Sequence, residues 1–188
     1  MLTGREAIIS NRVLYRVSLN RILRGQRLRI VREFVALAAL LALWAVTVYA
    51  LLGPNPLPGR IPTHFDLAGN PDGWGKPEAL WLLPIVGTFL YSLMTVVARF
   101  PAHFNYPVVI TSANRATLQH LGLGMVGWLK AEVIFLFAGI QVSTIQAARQ
   151  SRGGPYPMLF AIALVVVFGT IGWHIMAMRR TVRLNLPR

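Results

Sequence analysis

The chain has 188 residues, of which 55% are hydrophobic and 13% charged, a balance that excludes an ordinary soluble domain and points to lipid as the surrounding medium. Its formal net charge of +13 comes from 19 Lys+Arg against 6 Asp+Glu, but the positive charge clusters beside an apolar run, which argues against nucleic acid as the partner. With no cysteine, the chain can form no disulfide, thiolate metal site or cysteine nucleophile.

Residues 1–33 hold eight arginines before the first apolar run. Ile8, Ile9, Val13, Leu14, Val17, Ile22 and Leu23 alternate with Arg5, Arg12, Arg16, Arg21 and Arg24, followed by Arg27, at near-helical spacing. This predicts a basic amphipathic helix that lies on anionic headgroups or docks on a neighbouring subunit, with a break at Gly25. No small-residue cleavage pattern follows the first apolar run, so it reads as an uncleaved span.

Four segments approach the roughly 20 residues needed to cross a bilayer: 34–52, 79–98, about 121–145, and 157–178. The predicted fold is therefore an all-α integral membrane protein, with a four-helix domain over 34–178 and a basic tail over 179–188. Lys and Arg number eight in the N-terminal segment, two in the middle loop (Arg99, Arg115) and four in the tail. The other side has four (Arg60, Lys76, Arg149, Arg152), so the positive-inside rule predicts cytoplasmic termini and middle loop. Trp81 suits the outer interfacial belt.

The outer cap, 53–78, carries six of the twelve prolines and five glycines. Asn70, Pro71, Asp72 and Gly73 suit a turn, which would make Ile61 to Phe65 and the residues around Trp74 the arms of a short β-hairpin. Within the middle loop, Thr111 or Ser112 can cap a helix that runs from about Ser112 past Gln141.

The string Leu57-Pro58-Gly59-Arg60-Ile61-Pro62-Thr63-His64-Phe65, followed by Gly69-Asn70-Pro71-Asp72-Gly73-Trp74-Gly75-Lys76, resembles the membrane family known as domain of unknown function 1648 (DUF1648). Phe104-Asn105-Tyr106-Pro107 and Trp128-Leu129-Lys130 with Glu132 agree with it. This resemblance, spanning about 57–141, implies a bacterial polytopic membrane protein without enzymatic activity, located in the cytoplasmic membrane. It also implies kinship with the N-terminal part of SdpI-type toxin-immunity proteins, which bind a secreted peptide toxin.

Several polar residues are candidates for function. His64, Phe65, Asp72 and Trp74 are read as a ligand or partner surface. A metal held by His64, Asp66 and Asp72 is the weaker reading, because Asp72 is expected to hold the turn and no second histidine is near in sequence. Lys130 and Glu132 are ionisable groups in an apolar segment, joined by Gln141 and His174. Two residues apart, Lys130 and Glu132 point to different helix faces, and Lys130 is expected to snorkel from a helix that begins well below the membrane. His120 and His174 are expected to be interhelical hydrogen-bonding residues rather than haem ligands.

Gly127 with Ala131, and Gly169 with Gly172, read as small-residue packing stripes. Catalytic motifs are absent from the sequence, and no cofactor, metal or nucleic acid is expected. Two functions follow: an immunity-type binding protein using its cap, or an accessory subunit of a larger membrane complex held by the basic arm and helix surfaces.

Overall fold

The computed structural model describes residues 4–150 and 157–183, and of the side chains before Gly25 only that of Leu23. Helix α1 spans Gly4–Leu52, α2 Leu82–Val97, α3 Arg115–Gln150 and α4 Pro157–Arg183. Within these helices and a 3-10 turn over Pro77–Trp81, four segments are long and apolar enough to cross a membrane: Gly25–Leu52, Pro77–Val97, Arg115–Arg149 and Met158–Thr181. The expected helical architecture therefore holds. A small sheet pairs β1 (Ile61–Phe65) antiparallel with β2 (Pro71–Gly75), giving the expected hairpin.

The predicted break at Gly25 does not occur, and arm and first span form one 49-residue helix. A Cβ on Gly25 would lie 3.0 Å from the His120 ring, so glycine admits the α3 side chain. That packing outweighs glycine's cost of about 1 kcal/mol in a helix interior. Arg12, Arg16, Arg21 and Arg24 ride on α1 with side chains outside the described residues, and Arg27 is exposed.

Helix α3 is the hub, packing on α1, α2 and α4. Ala39, Leu40 and Ile134 form one buried cluster with Trp44 and Tyr91 against it. Gly87 allows α2 to approach, since a Cβ there would be 3.3 Å from Leu43 Cδ2. A second cluster, Ala50, Ile61, Leu80, Ile145 and Ala148, seats β1 on the end of the bundle formed by α1, α3 and the 3-10 turn. Gly127 and buried Ala131 face neighbouring helices, whereas Gly169 and Gly172 meet nothing within 4 Å of a built Cβ. Among the described residues the second expected packing stripe is thus unused, because α4 packs chiefly on α3 and leaves Val165 and Phe168 bare.

The start of α3 differs from expectation by three residues. Asn114 Oδ1 accepts from the Thr111 amide at 2.8 Å, and Thr111 Oγ1 accepts from the Asn114 amide at 3.3 Å. This reciprocal clasp satisfies the turn, so the helix begins at Arg115, and Ser112 is passed over.

The hairpin turn is also displaced from the expected 70–73 to 66–70. Asp66 Oδ1 accepts from the Ala68 amide at 2.9 Å and the Asn70 amide at 2.7 Å, while Oδ2 accepts from Asn70 Nδ2 at 3.1 Å. Gly69 takes φ 87°, the conformation expected of Gly73. Gly73 serves a different need: a Cβ there would lie 2.8 Å from His64 Cβ across the strands.

Replacing Gly69 by Ala puts a Cβ into the left-handed region at a cost of about 1–2 kcal/mol. We expect G69A to lower the melting temperature of the detergent-solubilised protein by a few degrees, while G59A, with open space around its position, leaves it unchanged.

Candidate functional site

Two groups of polar residues stand out, one at each end of the bundle. At the hairpin end, Ile61 and Pro62 are buried, Ile61 against the helices, and the strands beyond them are exposed at His64, Asp72 and Trp74. His64 Nδ1 donates to Asp72 Oδ1 across the strands, with side chains 74% and 47% exposed. Trp74 pairs with Pro62 in the bulged ladder and is 52% exposed. Phe65 is half-buried beside Pro71. The structure thus joins His64 and Asp72 directly, exposes Trp74 at the neighbouring rung of the ladder opposite Pro62, and holds Phe65 back.

Asp72, expected to hold the turn, is instead the partner of His64, and Asp66 takes the turn. Hydrogen bonds from the Asn70 side chain, then from backbone amides, hold the Asp66 carboxyl below the ordinary carboxylate range. Its oxygens are engaged within the turn, and among the described residues His64, Asp66 and Asp72 do not form a metal-ligand group.

At the other end lies a buried ionic layer. Lys130 is 1% exposed, and its ammonium bonds Glu33 Oε1 at 2.7 Å, Glu33 Oε2 at 2.6 Å and Thr95 Oγ1 at 3.1 Å. All three protons are used. The Tyr91 ring centroid is 4.5 Å from the ammonium, and Tyr91 Oη donates to Glu33 Oε2 at 3.3 Å. Lys130 therefore does not snorkel. Its helix does begin fifteen residues earlier, at Arg115, but the side chain turns inward because α1 supplies a carboxylate at the correct height. Glu33, one of two acids in the arginine-rich arm, carries no sequence signal that pairs it with Lys130.

Glu132 faces α4, where Thr170 Oγ1 donates to its Oε1 at 2.6 Å, and its Oε2 is buried with no partner among the described residues. His174 Nδ1 donates to the Thr170 carbonyl at 2.8 Å. Nearer the hairpin, Gln141 Nε2 donates to Thr47 Oγ1 at 2.7 Å and the Leu80 carbonyl at 2.9 Å, stapling α1, α3 and the 3-10 turn. The four intramembrane candidates thus divide into three separate clusters: Lys130 with Glu33, Glu132 with His174 through Thr170, and Gln141 with Thr47. Thr47, Tyr91, Thr95 and Thr170 were not singled out from sequence, since a lone Thr or Tyr in an apolar segment carries no spacing signal.

Four apolar helices, ionisable groups paired inside the bundle and a small outward hairpin define a multi-pass membrane protein. Residues 35–88 match the family model of DUF1648, a domain of unknown function. The match takes in the apolar part of α1, the hairpin and the start of α2, so the motif around His64 and Trp74 lies within it. The patches at Phe104 to Pro107 and Trp128 to Glu132 lie outside. The chain is also similar to an uncharacterized protein of Archaeoglobus fulgidus, 26% identical over 142 residues that cover 70% of this chain and 76% of the relative. The similarity therefore reaches beyond the bacteria that the resemblance implies. No solved structure matches.

Removing one partner of a buried pair leaves the other without compensation, at about 3 kcal/mol where one member is partly exposed. We expect K130M to lower thermal stability by about that amount and the double variant E33Q/K130M to recover much of it, measured by detergent-phase melting. The turn carries a pH dependence. A carboxyl lowered in the folded state stabilises it above the ordinary carboxylate range, and that contribution is lost as pH falls through the lowered value. Acid titration of Trp74 emission should therefore show the hairpin loosening only at pH below the ordinary carboxylate range, and D66N should show the loosened spectrum at neutral pH.

Proposed function

We propose that the chain is a non-catalytic membrane protein that binds an extracytoplasmic peptide through the outer face of its hairpin. One observation carries this reading: strand β1 is anchored in the bundle by Ile61 while His64, Asp72 and Trp74 are presented outward from a turn tied by Asp66. A rigid support with an exposed aromatic and a polar pair is the form of a binding surface, because little conformational freedom is lost when a partner docks. The resemblance to SdpI-type proteins names a secreted peptide toxin as the ligand class. The arginine distribution supports an orientation with the termini and the 99–114 connection in the cytoplasm and the hairpin outside.

A second reading, the accessory subunit, draws on the bare flank of α4, where Gly169 and Gly172 meet no neighbour. Lipid or a neighbouring helix can cover such a flank.

The test uses full-length protein in lipid nanodiscs and a fluorescent peptide toxin from an SdpI-type system. Saturable binding is expected, weakened about tenfold or more by W74A and by H64A at unchanged melting temperature. Failure of the wild type to bind would remove the immunity reading. Stoichiometric recovery of the native protein within a larger complex would replace it with the accessory subunit.

A further inference from the structure

Between α1 and α3, at the end away from the hairpin, runs a groove of about 550 Å³. Gly25, Arg29 and Arg32 line its α1 wall, spaced so that they share one helix face, and Thr117 and His120 face them from α3. Among the described residues no carboxylate lines this groove.

Arg32 is the unusual member. It is 8% exposed, yet among the described residues no acceptor hydrogen-bonds its guanidinium and no carboxylate lies within ion-pair distance. Gly124 and Gly127 make the space for it, since a Cβ on either would come within 3.3 Å of the Arg32 side chain. The adjacent Glu33 is already engaged, both oxygens being held by Lys130. Arg32 therefore has only a share of the Glu33 charge and no direct hydrogen bond, with its guanidinium open to the groove, and arginine cannot escape by giving up its proton.

We propose that this groove is a binding site for a phosphate-bearing anion, clasped by Arg32 and Arg29 with His120 and Thr117 as further donors. A planar guanidinium matches the paired oxygens of a phosphate, and two of them on one helix face can engage a single tetrahedral group. Arg32 stands two residues before the apolar run of α1, the height at which lipid headgroup phosphates lie. A lipid phosphodiester and a soluble phosphate compound share this chemistry. The site differs from the diffuse attraction of the basic arm, because it depends on one buried guanidinium rather than on summed charge, and it is independent of the hairpin's ligand.

Native mass spectrometry of the full chain, released from neutral detergent with added phosphatidylglycerol, provides the test, with inorganic phosphate titrated in parallel. Retention of one phosphatidylglycerol is expected, weakened about tenfold or more in R32Q and in R29Q and unchanged in R60Q at the hairpin end. The same variant dependence with inorganic phosphate instead would assign the site to a soluble phosphate compound. Arg29 is exposed, so R29Q carries the test should R32Q fail to fold. Equal retention by wild type, R29Q and R32Q, or retention of neither ligand by the wild type, would overturn the site.

Discussion

An ammonium group inside a helical bundle has to find three acceptors, and the arrangement of α1, α2 and α3 follows from how Lys130 finds them. Glu33 supplies two oxygens from α1, Thr95 one from α2, and the Tyr91 ring closes the remaining side. Sliding α1 or α3 by a turn, about 5.4 Å, would strand a charge in an apolar setting, and sliding α2 would remove the third acceptor. Hydrophobic contacts such as Leu40 on Ile134 tolerate small slips, whereas this cluster does not. Its worth to the fold is therefore one of register rather than of net stability, as a buried polar residue specifies register in coiled coils.

Gln141 does the same at the hairpin end by a neutral route. Its amide group reaches Thr47 on α1 and the Leu80 carbonyl, one left free by the 3-10 turn before α2. With the bundle end tied in this way, Ile61 can be buried at 0% exposure, and the short hairpin, which is marginal alone, gains a support. The outward direction of His64, Asp72 and Trp74 is thus a consequence of packing at the bundle end.

Helix α4 has a looser tie, through Thr170 to Glu132 and the α3 surface. The two ends of the protein consequently differ. The hairpin end is closed by apolar packing, while the opposite end keeps cationic groups around a groove, with Arg32 the only one of them buried in it.

Much of this protein is legible in the amino-acid order alone. Long apolar segments fix four spans, because unsatisfied backbone groups in lipid leave a helix as the available form. A hairpin with arms at Ile61 and Trp74 is legible from the turn formers between them, though not the position of its turn, and the separation of Lys130 from Glu132 follows from helical period. Three-dimensional packing decided what local rules leave open: whether Gly25 breaks a helix or admits His120, whether Asp66 or Asp72 holds the turn, and which carboxylate answers Lys130. The first and last of these turn on partners distant in sequence, 97 positions away for Glu33 and Lys130, while Asp72 is drawn from the turn by His64 across the strands, and no periodicity along one segment carries that information.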